Sequence, residues 1–128
     1  MSPKGVNIYA SPYPVKETID RLQNFLQQHG ATIYARIDQQ DEVKKVGQNI
    51  KPLEFILFGN PKAGGLLMAE NPLVALDLPL KVIAWEDQDG KVWLTCNAGD
   101  YIEERYGLPH SDSSPLNLGP LISKIVNG

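Results

Sequence analysis

Residues 53–82 read LEFILFGNPKAGGLLMAENPLVALDLPLKV, and this stretch decides the fold. Leu53, Glu54, Phe55, Ile56, Leu57 and Phe58 form a nearly continuous apolar run. Such a run is the pattern of a central strand covered on both faces, because neither face tolerates regular polar residues. Gly59-Asn60-Pro61 ends it with three turn-forming residues. Gly64-Gly65 then leads into a short helix over Leu66-Leu67-Met68-Ala69. Pro72 and Pro79 bracket a second short apolar piece from Leu73 to Leu78, and Leu80-Lys81-Val82-Ile83-Ala84-Trp85 reads as the next strand.

Upstream, Val6-Asn7-Ile8-Tyr9-Ala10 alternates as a first strand. Pro14 suits the first turn of a helix. From there Val15, Thr18, Ile19, Leu22, Phe25 and Leu26 recur at helical spacing, predicting a helix over residues 14–29 with Gly30 as its terminator. Residues 32–37 read as a strand with Ile33, Ala35 and Ile37 on one face, and residues 39–46 as a short polar helix. Downstream, Asp89-Gly90 supplies the positive φ of a hairpin turn, and Lys91-Val92-Trp93-Leu94-Thr95-Cys96 returns as the partner strand. Trp85 and Trp93 on its two arms either pair across the hairpin and stabilise the sheet or, facing outward, mark a partner surface. Residues 100–106 and 120–126 read as two further helices around a polar loop. With no internal repeat and no long linker, residues 1–128 are expected to form a single domain.

The composition is that of a globular chain, 42% apolar and 21% charged. The net charge is −3, and the longest basic cluster is Lys44-Lys45. A non-specific nucleic-acid binder needs a dense basic patch, so no nucleic-acid partner is expected. The one cysteine, Cys96, excludes an intramolecular disulfide and fits a reducing compartment. The N-terminus lacks the apolar core of a secretory signal, and no segment approaches a membrane span. The expectation is a cytoplasmic protein with no membrane partner.

Gly59-Asn60-Pro61-Lys62-Ala63-Gly64-Gly65-Leu66 places two glycines between a strand and a helix, where a phosphate cradle would sit. A phosphate loop needs Lys and Ser or Thr directly after its second glycine, and here those positions hold Gly65 and Leu66. The three spaced glycines of a dinucleotide fingerprint are absent too. His29, His110 and Cys96 are scattered, so no metal site and no cofactor is expected. Cys96 precedes a helix whose dipole would favour a thiolate, although a half-buried structural cysteine is the simpler reading. His110-Ser111-Asp112 holds the residue types of a hydrolytic triad, but such triads are assembled from separated segments. The carboxylate pairs Asp41-Glu42, Glu86-Asp87 and Glu103-Glu104 are consecutive, an arrangement whose side chains point apart and are solvated, and which turns catalytic only where burial raises a pKa.

Phe58-Gly59-Asn60-Pro61, Ala75-Leu76-Asp77-Leu78-Pro79-Leu80-Lys81-Val82, and Trp85-Glu86-Asp87 with Gly90 and Val92-Trp93 together resemble the domain of unknown function 302 family, over nearly the whole chain. The resemblance implies an α+β fold. This would be a two-layer sandwich with a mainly antiparallel or mixed sheet of about five strands and helices packed on it, often as a homodimer. It brings no established catalytic residue and no cofactor. Where many relatives carry Asp-His after the second strand, this chain has Asp38-Gln39-Gln40. Where many carry Tyr before the Asn at position 97, it has Cys96. A glutamine does not take up a proton near neutral pH as histidine does.

The functional expectation is a non-catalytic ligand-binding or protein-interaction module acting as a homodimer. Its small-molecule ligand would sit beside Asn60 and Pro61, with Lys81 supplying charge. Asn60 both donates and accepts, and strand ends and helix starts converge there. The simpler role for Asn60 is closing the turn by bonding the backbone. The alternative function is a small enzyme near the same turn, using Asn60, Lys81 and Glu86 or Cys96.

Overall fold

A computed structural model describes residues 3–127 of the chain. Five strands form one sheet: β1 (Val6–Ser11), β2 (Thr32–Asp38), β3 (Leu53–Gly59), β4 (Leu80–Glu86) and β5 (Val92–Asn97). Their order is β1-β5-β4-β3-β2, and every neighbouring pair is antiparallel. Between and after them lie α1 (Val15–Gln28), α2 (Gln39–Lys44), α3 (Pro61–Glu70), a 3-10 helix (Pro72–Asp77), α4 (Gly99–Tyr106) and α5 (Gly119–Asn127). The α+β architecture is the expected one. Among the described residues, no helix is long and apolar enough to cross a membrane.

Cross-strand partners in an antiparallel ladder share a face of the sheet. Ile56 opposes Val82, Phe58 opposes Leu80, and Ala84 opposes Leu94. These residues form the core with Val15, Ile19, Leu22 and Leu26 of α1, Ile122 and Ile125 of α5, and Leu108, Leu116 and Leu118 of the segment between α4 and α5. Phe55 opposes Ile83, Trp85 opposes Trp93, and Ile8 opposes Thr95 on the other face. None of the residues on that second face joins the core cluster.

β3 is an interior strand paired on both sides, next to β4 in the middle of the sheet. Ile56 and Phe58 face the core, and Phe55 on its other face is 9% exposed without joining the core cluster. One expectation changes here. In β2, a register shift between Ile33 and Ala35 divides residues expected to share a face. Ile33 opposes Phe58 on the core side, whereas Ala35 and Ile37 oppose Leu57 and Phe55 on the open side. The inserted residue at this bulge is Tyr34, and one extra residue reverses the alternation.

Glu54 sits on the covered face and is only 4% exposed. Its carboxylate accepts from Arg36 Nε at 3.1 Å and Lys16 Nζ at 3.1 Å, and Arg36 also pairs with Asp20 at 2.7 Å. Buried charge of this kind persists only when paired and hydrogen-bonded. The β4–β5 hairpin closes as the sequence suggests. Asp87 Oδ1 accepts the amides of Asp89 and Lys91 at 2.9 Å each, and Gly90 takes φ of 81°.

Candidate functional site

β3 runs out at Gly59, and α3 begins at Pro61. Asn60 is the cap between them: its Oδ1 accepts the amides of Lys62 at 3.0 Å and Ala63 at 3.4 Å. The start of α3 is therefore satisfied by the chain itself, as an N-cap residue does. Gly64 and Gly65 lie inside the helix rather than before it. They form no phosphate cradle, and the near miss in the sequence has a conformational basis.

The turn forms one wall of a cavity of about 260 Å³. Gly59, Asn60 and Pro61 line it together with Leu67 and Met68 of α3, Leu78, Pro79 and Leu80 at the entrance to β4, and Pro115 and Leu116 of the segment before α5. Tyr34 completes the lining from the β2 bulge, 51% exposed, its ring 3.7 Å from where a Cβ on Gly59 would stand. A Cβ at Gly59 would stand in ordinary van der Waals contact with that ring. Tyr34 is the only titratable side chain in the lining. The bulge that presents it breaks a period-two pattern, so alternation along β2 gives no sign of it.

The expected site residues separate into two groups. Asn60 and Pro61 meet at the cavity. Lys81 lies on the open face of the sheet, with Nζ 4.5 Å from the Phe55 ring centroid, and does not line it. Glu86, at the far end of β4, is away from it as well. Cys96 faces the core at 6% exposure, and burial pushes its thiol up to about 11. A thiol so raised is overwhelmingly protonated near neutral pH and is a poor nucleophile.

A second polar cluster holds the segment that supplies Pro115 and Leu116. Glu103 of α4 is 4% exposed. Its Oε1 lies 2.9 Å from His110 Nδ1, and its Oε2 accepts the Ser111 amide at 3.1 Å. His110 Nε2 in turn lies 3.0 Å from Asp112 Oδ1. The hydrogen bond to Glu103, then that to Asp112, raises the His110 pKa above its ordinary value. Ser111 Oγ reaches only Ser113, so the residues do not form a nucleophile–base pair. The pair Glu103-Glu104 is not solvated as expected: Glu104 is exposed, but Glu103 is buried, because His110 and the Ser111 amide satisfy its carboxylate. What the sequence did not disclose is that Gly107, in the left-handed conformation at φ 65°, turns the chain so that His110 folds back onto Glu103. Among the described residues, no three His, Cys, Asp or Glu side chains are placed to hold a metal ion.

The profile of the family described as domain of unknown function DUF302 matches residues 8–118. A curated relative, fluoride-specific ion channel FluC 1 of Brucella suis biovar 1, is 38% identical over 104 residues, which is 81% of this chain and 41% of that protein. Fluoride-specific ion channel FluC 2 of Brucella melitensis biotype 1 is likewise 38% identical over 104 residues, covering 81% of this chain and 38% of its own. The chain thus spans about two fifths of the length of the curated relatives it matches. Among solved structures, an uncharacterised conserved DUF302 protein from Bacillus stearothermophilus superposes with a TM-score of 0.73, at 17% identity, over 98% of this chain and 89% of that one. At that identity the likeness concerns the fold.

Proposed function

The chain belongs to the DUF302 family, and we propose that it is a non-catalytic module that binds a small apolar ligand beside the Gly59-Asn60-Pro61 turn and works as a homodimer. The observation that carries the ligand reading is the apolar cavity of about 260 Å³ against that turn. Drug-sized sites run to about 300–1,000 Å³, so the occupant is a small molecule or a single side chain. Asn60 spends its carbonyl oxygen on the helix cap, which leaves its amide NH₂ to meet an acceptor. A compact aryl or alkyl group with one carbonyl fits that chemistry. The lining holds no acid–base or nucleophile–base pair, which favours binding over a small enzyme at the same turn.

Thermal unfolding with acetophenone and hexanamide as probes tests this reading. At tenfold excess over its Kd a ligand stabilises by about 1.4 kcal/mol, or roughly 5 °C for a chain of this size. Gly64→Phe directs a ring toward Leu78 and Met68 in the cavity and should abolish the shift. If neither probe moves the transition at millimolar concentration, or if Gly64→Phe leaves the shift intact, the ligand site is not this cavity.

One observation favours a second reading: the curated relatives bear the name of fluoride-specific ion channels, and this chain matches only part of them. The chain would then be the counterpart of a part of such channels that does not itself cross the membrane, acting on or beside the conducting part. Its sheet has two open edges, β1 and β2, and is not a closed barrel. Fluoride efflux from proteoliposomes holding a fluoride channel, recorded with and without added chain, distinguishes the two. At least a twofold change in rate supports the second reading, whereas unchanged efflux with no binding to the liposomes removes it.

A further inference from the structure

We propose a second ligand site at the opposite end of the sheet, a groove that takes a zwitterion with an apolar side chain, either a free amino acid or a dipeptide. The site goes beyond the cavity at the Gly59-Asn60-Pro61 turn and is separate from it. β3 runs from Leu53 in the groove to Gly59 at the cavity, and β4 runs from Leu80 at the cavity to Trp85 and Glu86 in the groove. The groove has a volume of about 800 Å³ and lies between the loop that precedes β3 and the turn that follows β4. Its two walls are fastened to each other, because the Glu86 amide donates to the Pro52 carbonyl at 3.0 Å. Gln40 Nε2 of α2 holds the same loop, donating to the Ile50 carbonyl at 3.2 Å. The walls are therefore set before a ligand arrives, which spares part of the ordering cost of binding.

The lining selects the ligand. Part of it is apolar: Leu53 opposes Trp85 across the β3–β4 ladder, and Ile50, 42% exposed, lines the same groove. Trp85 Nε1 donates to Thr95 Oγ1 at 2.7 Å. The indole's one donor is thus spent, and it offers a ligand carbon surface alone. The free charges are one of each sign. Glu86 is half-buried and Lys51 exposed, and both line the groove. Among the described residues neither has an ion-pair partner, and they do not pair with each other. Asp87, the remaining charged side chain of the lining, is committed to the hairpin: Oδ1 accepts the amides of Asp89 and Lys91, and Oδ2 accepts Trp93 Nε1. A plain cation or a plain anion would meet one matching and one opposing charge here. A zwitterion meets two matching ones, its ammonium at Glu86 and its carboxylate at Lys51.

Volume and exposure set the size and strength of binding. Small-molecule sites run to about 300–1,000 Å³, so the groove has room for one or two amino-acid residues and some water. Solvent-exposed ion pairs contribute little, so the two charges choose the ligand while the apolar surface of Ile50, Leu53 and Trp85 supplies most of its affinity. Asn49 and Gln88 also line the groove, and their amides can meet the peptide group that a dipeptide has and a free amino acid lacks.

Amide correlation spectra of the labelled full chain, titrated separately with L-phenylalanine and L-leucyl-L-leucine, test the proposal. The expected result is saturable shifts at Leu53, Trp85, Glu86 and Gln88 in the millimolar range. The tighter of the two probes identifies the source. N-acetyl-L-phenylalanine lacks the ammonium and phenethylamine lacks the carboxylate, and each should bind at least threefold more weakly than phenylalanine. Glu86→Gln should weaken phenylalanine at least threefold without weakening N-acetyl-L-phenylalanine. Lys51→Met should weaken phenylalanine by a similar factor without weakening phenethylamine. Gly64→Phe, which fills the other cavity, should change none of this. If Glu86→Gln alters the fold, Lys51→Met and the two blocked probes decide. No saturable shift at these residues, or equal binding of phenylalanine and its blocked analogues, overturns the proposal and leaves the cavity reading standing. Shifts centred on Asn60 and Leu116 instead overturn it as well, because they place the zwitterion in the other cavity.

Discussion

Asn60 shows how one residue can be read correctly for one role and left open for another. Its position between strand and proline indicates turn closure, and its Oδ1 does take the amides of Lys62 and Ala63. Replacing it with alanine should cost about 1 kcal/mol of stability, measured by urea unfolding, because an N-cap is lost. Asn60→Asp keeps the accepting oxygen and should restore most of that stability, but it cannot donate to a carbonyl ligand. His110 carries a different signal. Its pKa in the folded chain is raised by Glu103 and then Asp112, so its contribution is complete below the unfolded value near 6.5. The contribution is lost as pH rises through the higher folded-state value. Amides of residues 111–117, corrected for intrinsic rates, should therefore exchange faster above that pKa than below it. His110→Ala should remove the pH dependence, and an unaltered profile in that variant would contradict the role given to His110. Tyr34 was not legible as part of a site, and Glu103 was legible only as one of a carboxylate pair, not as the buried partner of His110. Glu103 depends on a left-handed turn at Gly107, and Tyr34 on a bulge, and both are set by packing over many residues.

At the scale of elements, periodicity carried most of the fold. α1 and the β4–β5 hairpin follow from helical spacing and from Asp-Gly chemistry, and Trp85 and Trp93 do pair, with ring centroids 6.5 Å apart. α3 was less legible. Gly64-Gly65 suggested a loop, yet the cap at Asn60 and proline at the first helical position start the helix ahead of them. Intrinsic propensity is a weak prior against such caps. β3 was legible as an apolar interior strand, and Phe55, Ile56 and Phe58 are buried along it. α4 meets the segment before α5 at Gly99, where an added Cβ would stand 2.8 Å from the Leu116 carbonyl oxygen. Gly99→Ala should cost roughly 1–3 kcal/mol through overpacking, and should displace the Leu116 wall of the cavity. Thermal unfolding measures the first effect, and weaker probe binding the second; a variant as stable as the parent would mean that the backbone yields freely there.

For the whole molecule, one chain builds two unlike surfaces. One side of the sheet is closed by α1 and α5. The cavity at the Gly59-Asn60-Pro61 turn lies where β3, α3, the start of β4 and the segment before α5 converge. The other side carries Ile8, Phe55, Ile83, Trp85 and Trp93, none of which joins the core cluster. The relatives named as fluoride channels show that a segment similar to this chain also occurs within longer proteins. The ligand claim is tested most directly by amide correlation spectra of the labelled chain during titration with hexanamide. The account predicts saturable shifts confined to Tyr34, Asn60, Leu67, Met68 and Leu116, with the side-chain NH₂ of Asn60 moving most. Shifts spread over the open sheet face, or no saturable shift near Asn60, would contradict it.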